Sequence, residues 1–468
     1  MAQLAAARSD LAERTRRHVT RRVMPFLFLL YIVAYIDRIN ISFAGLQMTG
    51  DLGFSNEVFG FGSGIFFVGY VLLGIPGAIL VERWSARKAI AVTMLVWGCV
   101  AAATGFIHTA PQFYWMRFGL GVTEAGFFPG LITYLGHWYR PRDRAKAVAL
   151  FMAAIPVSKT IAAPISASLL AVHWLGLAGW RWLLILEGVP ALIFGVITWL
   201  YLTDRPQQAR WLPEEERNWL VGELAAENRQ AAAGRPMPFA SALRHRDVLL
   251  LCGVYFGGTI ADYGLGLWLP KMLQQMGNLT AVKTALLSAI PAIVSIPAML
   301  LGGWHSDRTG ERRWHTALPR WAAALALVAL VLQHAGLGFA LVCFTLATCG
   351  IMAAYPSLWA LPTSFLGSAA AAASIGMINS FGNLGGFAGP YLIGRFSNQS
   401  GNFSGGTWTM VVGLAFSGAC AVAVRGRRGP SHGDADAPEH VPDGLLHIVP
   451  PLTQRVGVDL AAGGAVGS

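Results

Sequence analysis

A chain of 468 residues that is 54% hydrophobic and only 13% charged is not a soluble domain, since about a quarter of the residues of such domains carry charge. Its net charge of +11 does not mark a nucleic-acid binder, because the cations gather in short clusters between long apolar runs. The five cysteines (Cys99, Cys252, Cys343, Cys349 and Cys420) all fall in apolar stretches without paired spacing. They read as small core residues rather than a disulfide or metal framework.

Residues 1–22 are polar and arginine-rich, and the apolar run that follows is too long for the core of a cleavable signal. Runs of about 18–25 apolar residues, each enough to cross a bilayer, then recur twelve times. They lie near 24–46, 58–81, 89–107, 112–136, 145–171, 181–202, 247–269, 282–303, 316–334, 337–361, 372–395 and 407–424. The reading is an all-α membrane protein with twelve transmembrane helices. Arg8, Arg14, Arg16, Arg17, Arg21 and Arg22 precede the first run. Arg83, Arg87 and Lys88 follow the second, Arg140, Arg142, Arg144 and Lys146 the fourth, Arg308, Arg312 and Arg313 the eighth, and Arg425, Arg427 and Arg428 the twelfth. The opposite connections are nearly bare, so both termini are expected in the cytoplasm. The connection between runs 10 and 11 carries no cation and is the exception.

Residues 203–246 form the longest polar connection, and Leu212-Pro213-Glu214-Glu215-Glu216-Arg217 predicts a short surface helix there, with proline and acids in its first turn. The composition divides the chain into a cytoplasmic tail (1–23), a six-helix half (24–202), a cytoplasmic linker (203–246), a second six-helix half (247–424) and a Gly-, Pro- and Asp-rich tail (425–468) expected to be disordered.

The fourth run has an unusual content: Trp115-Met116-Arg117-Phe118-Gly119-Leu120-Gly121-Val122-Thr123-Glu124-Ala125-Gly126-Phe127-Phe128-Pro129-Gly130. A charge at the centre of a membrane helix costs roughly 2.5–3.5 kcal/mol on insertion scales, and this stretch holds two. Arg117 and Glu124 are about two turns apart on one face, roughly 10 Å along the axis. Gly119, Gly121 and Gly126 let another backbone approach. The first run also holds a charged pair, Asp37 and Arg38, roughly 20 Å from its start. Adjacent helical residues point about 100° apart, so the two cannot face one partner. Arg38 is expected to face a central site while Asp37 titrates against a neighbour. The duller reading of both pairs is a set of interhelical bridges.

A short motif occurs twice. Glu82-Arg83-Trp84-Ser85-Ala86-Arg87-Lys88 follows run 2, and Gly303-Trp304-His305-Ser306-Asp307-Arg308-Thr309-Gly310-Glu311-Arg312-Arg313 follows run 8. Two six-helix halves, each with this loop after its second helix, are the layout of major facilitator transporters. The second loop resembles that superfamily's signature in full; the first is degenerate at Glu82 and Ser85. Tyr35-Ile36-Asp37-Arg38-Ile39-Asn40, the fourth run, Trp138-Tyr139-Arg140-Pro141-Arg142-Asp143-Arg144-Ala145 and Asn379-Ser380-Phe381-Gly382-Asn383-Leu384-Gly385-Gly386 resemble the anion:cation symporter family. Within it they look most like the tartrate, phthalate and nicotinate-type carboxylate permeases.

The resemblance implies proton-coupled uptake of a small organic anion, such as a mono- or dicarboxylate or sugar acid, across a bacterial inner membrane. It implies no cofactor, no metal and no enzymatic chemistry, with protons, the substrate and the lipid bilayer as partners and a monomer as the working unit. Asp37 and Glu124 would match the proton-carrying acids. Arg38, Arg117, Tyr35, Tyr70 and Asn383 would match substrate-site positions. Lys159 departs from the family, where a neutral residue is expected; it either adds a pocket cation or pairs with an acid such as Asp262. Glu187 reads as structural, His334 as an interface residue and Tyr70 as either a phenol donor or a packing residue. In the superfamily the loop acid caps a neighbouring helix and pairs with arginine, which makes Glu82, Arg83, Arg87, Asp307, Arg308 and Arg312 gating candidates. An exporter of drugs on the same fold is the first rival and predicts fewer buried arginines. A membrane sensor or embedded enzyme is the second, and the sequence offers neither a nucleophile constellation nor a phosphate-binding G-x-x-x-x-G-K-[ST] loop.

Overall fold

The protein is described here from a computed structural model over residues 2–233, 245–333, 336–365 and 368–425. The C-terminal tail, the middle of the long connection, His334 and the side chain of Glu82 lie outside the described residues. The first half comprises α1 (Ala2–Asp51), α2 (Asn56–Arg83), α3 (Ala86–Thr104), α4 (Ala110–Glu124), α5 (Phe127–Trp138), α6 (Pro141–Met152), α7 (Ala154–Leu170) and α8 (Gly179–Tyr201). After the connecting helix α9 (Glu214–Ala233) come α10 (Arg246–Gly277), α11 (Ala281–Leu287), α12 (Ala289–Thr309), α13 (Arg313–Gln333), α14 (Leu337–Ala353), α15 (Tyr355–Phe365), α16 (Ser368–Ser400) and α17 (Ser404–Ala423).

Each of the twelve apolar runs is helical, but runs 4, 5, 8 and 10 are each built in two pieces, α4/α5, α6/α7, α11/α12 and α14/α15. All four breaks lie within about one turn before a proline. Pro129, Pro156, Pro291 and Pro356 have no N–H to give to the carbonyls of Ala125, Met152, Leu287 and Met352 one turn earlier. The helical ladder is interrupted there and restarts. Among the described residues, ten helical stretches are long and apolar enough to cross a membrane by length and composition alone. The two runs outside that set are the fourth, which is split and charged, and the eleventh, α16, which is rich in Gly, Ser and Asn.

At 50 residues α1 is far longer than a bilayer requires, so the polar N-terminal segment continues the helix instead of hanging free. The connecting helix packs along this extension. His18 Nδ1 lies 2.8 Å from Glu216 Oε2, and Arg140 Nη1 lies 3.6 Å from Glu223 Oε2. The predicted surface helix is therefore real, longer than expected at 20 residues, and docked.

Glycines set the closest contacts. A Cβ on Gly121 of α4 would stand 1.9 Å from the Phe66 carbonyl oxygen of α2. One on Gly60 of α2 would stand 2.5 Å from the Pro390 carbonyl oxygen of α16. Lys271 Nζ of α10 also donates to Thr49 Oγ1 of α1 at 3.2 Å. These last two contacts join the halves at the end of the bundle where α1 stops and α2 begins. Gly121→Val would force α2 and α4 apart. Overpacking of this kind costs about 1–3 kcal/mol, so purified Gly121→Val should show a clearly lower Tm than the parent, measured by tryptophan fluorescence in detergent.

Candidate functional site

The interior carries a set of charges that lipid cannot solvate. Asp37, Arg38, Arg117, Glu124, Glu187, Asp262 and Arg320 are all buried, with Glu124 and Arg320 at 0% exposure. All but Glu187 assemble into two clusters.

The first joins α1, α2 and α4. Arg38 Nη2 donates to Glu124 Oε2 at 2.8 Å. The Arg38 guanidinium sits 5.3 Å from the Phe66 ring centroid and 5.0 Å from that of Tyr70, and the Arg117 guanidinium lies 5.0 Å from Phe66. One aromatic ring thus carries two guanidinium groups, an arrangement favoured by the negative face of the ring. Asn40 Nδ2 donates to Asp37 Oδ1 at 3.2 Å. Asp37 also feels the charges of Glu124, Arg117 and Arg38, so the two acids and two arginines form one electrostatic unit. Each acid keeps one oxygen, Asp37 Oδ2 and Glu124 Oε1, without a hydrogen bond.

The second cluster spans both halves. Asp262 of α10 accepts from Lys159 Nζ of α7 at 2.8 Å through Oδ1, and from the Tyr355 hydroxyl of α15 at 2.9 Å through Oδ2. Lys159 lies 5.9 Å from the Tyr35 ring. Of the two expectations for Lys159, a free pocket cation or an ion pair, this structure holds the ion pair. Arg320 of α13 lies 5.8 Å from the Tyr355 ring and close against Gly258, where a Cβ would stand 1.8 Å from Nη1. Tyr263 connects the clusters: its ring lies 4.3 Å from that of Phe67, it interacts with Arg38, and it is the chain neighbour of Asp262.

A family model described as Major Facilitator Superfamily matches residues 27–390. The chain belongs to the Major Facilitator Superfamily. A protein of Agrobacterium vitis named "Putative tartrate transporter" is 45% identical over 432 residues, covering 92% of this chain and 99% of its own. A "Quinolone resistance transporter" of Acinetobacter baumannii is 35% identical over 414 residues, covering 87% of this chain and 94% of its own. The crystal structure of a bacterial homologue of the human lysosomal transporter Spinster, inward-facing and occupied, aligns with a TM-score of 0.70 and 18% identity over 86% of this chain and 96% of that one. At that identity the likeness concerns the fold, which is the twelve-helix, two-half architecture expected from the sequence. This facilitator is a multi-pass membrane transporter and not an enzyme.

Of the side chains that the sequence singles out in this facilitator, Tyr35, Asp37, Arg38, Tyr70, Arg117, Glu124 and Lys159 fall in or against the two clusters. Asn383 is buried but turns back along its own helix, donating to the Asn379 carbonyl at 2.8 Å; the contacts that build the clusters do not include it. Glu187 accepts from Ser166 Oγ at 2.9 Å and ties α8 to α7. Sequence reading missed Arg320 and the tyrosines Tyr255, Tyr263 and Tyr355. The available signal was an arginine just after a proline inside an apolar run. Lying only seven residues past the Arg312-Arg313 pair, it passes for one more loop cation.

Two acids that the sequence did not single out, Asp204 and Glu311, take part in the facilitator loops. Ser85 caps α3, and its hydroxyl donates to Asp204 Oδ1 and Oδ2 at 2.9 and 2.7 Å; the Arg87 N–H donates to Asp204 Oδ1 at 2.9 Å. Arg87 Nε lies 3.8 Å from the same carboxylate. Asp204, from the connection after α8, therefore holds the degenerate motif, while Arg83 is exposed. In the second loop Arg312 Nη1 donates to Asp307 Oδ1 at 2.6 Å. Glu311 caps α13, accepting from the Trp314 N–H at 2.9 Å and the His315 N–H at 3.2 Å. Burial alone would raise the Glu311 carboxyl; those donors outweigh it and hold the group below the usual carboxylate range. Arg308 lies exposed, 5.5 Å from the Trp304 ring.

Removing one partner of a buried ion pair strands the other charge and costs about 3–5 kcal/mol. Lys159→Gln and Asp262→Asn should each lower Tm sharply, and the double substitution should lose less than the sum. Residues in direct contact give coupling energies of about 0.5–3 kcal/mol; a cycle that closes additively would show that the pair contributes nothing.

Proposed function

We propose that this facilitator carries a small organic anion, a carboxylate, inward with protons by alternating access. The observation that supports this most is the buried Arg38–Glu124 pair, set beside a second arginine and a second acid. An arginine fork matches a carboxylate with two parallel hydrogen bonds. Glu124 holds one arm of that fork, Nη2 of Arg38. A proton on Glu124 or Asp37 neutralises the competing acid and supplies the donor that Asp37 Oδ2 and Glu124 Oε1 lack between them. Arg38 and Arg117 are then free for substrate. With substrate bound and the acid neutral, the site presents little net charge and can be passed between the two faces. Loss of the proton restores the internal pair and expels the anion. Tyr35 and Tyr70 line the arginines, Lys159 would add a cation from the same half only on release from Asp262, and Asn383 would have to turn toward the site in another state.

In this reading residues 24–202 and 247–424 are the rocking halves, joined by 203–246 on the cytoplasmic side of a bacterial inner membrane, with both termini there and the monomer as the unit of transport. Glu82, Arg83 and Arg87 with Asp204, and Asp307, Arg308 and Arg312 with Glu311, are the loop latches that bias one face over the other. The Agrobacterium vitis relative, named for tartrate, supports a carboxylate. The relative named for quinolone resistance favours a second reading, efflux of drugs on the same fold; buried arginines beside acids suit anions in either direction.

Uptake of labelled tartrate into proteoliposomes tests the proposal. Acid outside should accelerate uptake and drive it uphill, and Glu124→Gln should keep counterflow but lose the uphill step. Arg38→Lys and Arg117→Lys keep the charge and lose the fork, so each should cut uptake roughly tenfold or more, the equivalent of about 1.4 kcal/mol. Uptake indifferent to the gradient would remove the protons from the mechanism, and normal transport by both lysine variants would remove the forks.

A further inference from the structure

We propose that the substrate is an anion charged at both ends, a short dicarboxylate, and that Arg320 is the anchor for its second carboxylate. This rests on the reading above, in which Arg38 and Arg117 take the first.

Arg320 has no place in the internal pairing. It is fully buried, and Nε, Nη1 and Nη2 all lack a hydrogen-bond partner. The acid within its electrostatic reach is Asp262, whose two oxygens are already taken by Lys159 and Tyr355. A guanidinium held in this way bears the full cost of leaving water without the return of an ion pair. A merely structural arginine would be bonded to carbonyls or an acid. An arginine kept for a ligand carboxylate would not be.

The surrounding chain is built to admit it. Tyr255, Gly258 and Asp262 are spaced to lie along one face of α10, and Arg320 lies over the glycine, where any side chain would strike Nη1. Of its neighbours Tyr255 and Tyr355, Tyr355 already donates to Asp262, and Tyr255 is a phenol able to donate to an anion without neutralising the cation. The two arginine sites sit in opposite halves: Arg38 and Arg117 on α1 and α4, Arg320 on α13. Tyr263 and Asp262, consecutive on α10, lie between them. A diacid would engage both halves at once, whereas a monocarboxylate would satisfy one half and leave Arg320 unpaired. An unpaired partner of this kind is how a site rejects the analogue lacking a polar group.

The test compares tartrate with its mono-amide, which has the same shape and one carboxylate fewer. Thermal stabilisation of the purified full chain and competition against labelled tartrate uptake are the readouts. The parent protein should prefer tartrate by at least about tenfold, the usual minimum worth of a charge-assisted fork. Arg320→Gln should weaken tartrate to the level of the mono-amide while leaving the mono-amide unchanged, and Arg320→Lys should fall between. Should Arg320→Gln fail to fold, Gly258→Ala displaces the same guanidinium and should give the same loss of preference. Equal affinity of the parent for both compounds, or a preference that survives Arg320→Gln, overturns the proposal while leaving the first anchor intact. Arg38→Gln should abolish both ligands; if neither compound binds the parent, the carboxylate reading falls and this inference with it.

Discussion

A buried guanidinium and carboxylate 2.8 Å apart tie α1 to α4. In hydrocarbon neither Arg38 nor Glu124 can be left alone, so each fixes the other, and the packing around them follows. The Phe66 ring lies near both guanidinium groups, which its negative face attracts. Gly121 has no side chain because the backbone of α2 must come within reach of α4 for that ring to arrive. The pair stabilises only while both members are charged, so a proton or a competing anion can undo it. A contact that is strong when complete and costly when broken is suited to a two-state device.

The broken spans serve the same chemistry. Glu124 is the last residue of α4, and Tyr355 is the first of α15. Both stand at the place where a downstream proline has withdrawn a hydrogen bond from the helix. These are runs 4 and 10, equivalent positions in the two halves. A break turns the axis and re-aims the side chain beside it, and the loosened carbonyls are tolerated because they are packed inside protein and away from lipid. The repeat is thus one of backbone defects as well as of loop motifs.

Across the halves the second cluster is asymmetric to the first. Lys159 from the first half neutralises Asp262 from the second, which makes that acid a tie between the halves and leaves Arg320 as the unmatched cation. The loops show a comparable substitution of parts. Asp204, far along the chain from the first motif, accepts the Arg87 N–H at the start of α3, and Glu311, inside the second motif, accepts the Trp314 and His315 N–H groups at the start of α13; among the described residues Asp307 pairs with Arg312.

The sequence by itself determined the number of membrane crossings, the charge asymmetry of the connections, the paired halves and the presence of Asp37, Arg38, Arg117 and Glu124 at membrane depth. All of these are properties of composition and spacing along a single segment. It also pointed to Lys159 as anomalous and named Asp262 as a candidate partner, but left open whether the two pair. Only the tertiary structure decided that Glu124 meets Arg38 across 86 residues and Lys159 meets Asp262 across 103, that Asp204 reaches Ser85, and that Arg320 turns inward rather than toward the loop it follows. Helical periodicity says which face a residue lies on. It does not say which of eleven other helices covers that face, and the pairing of buried charges is settled there.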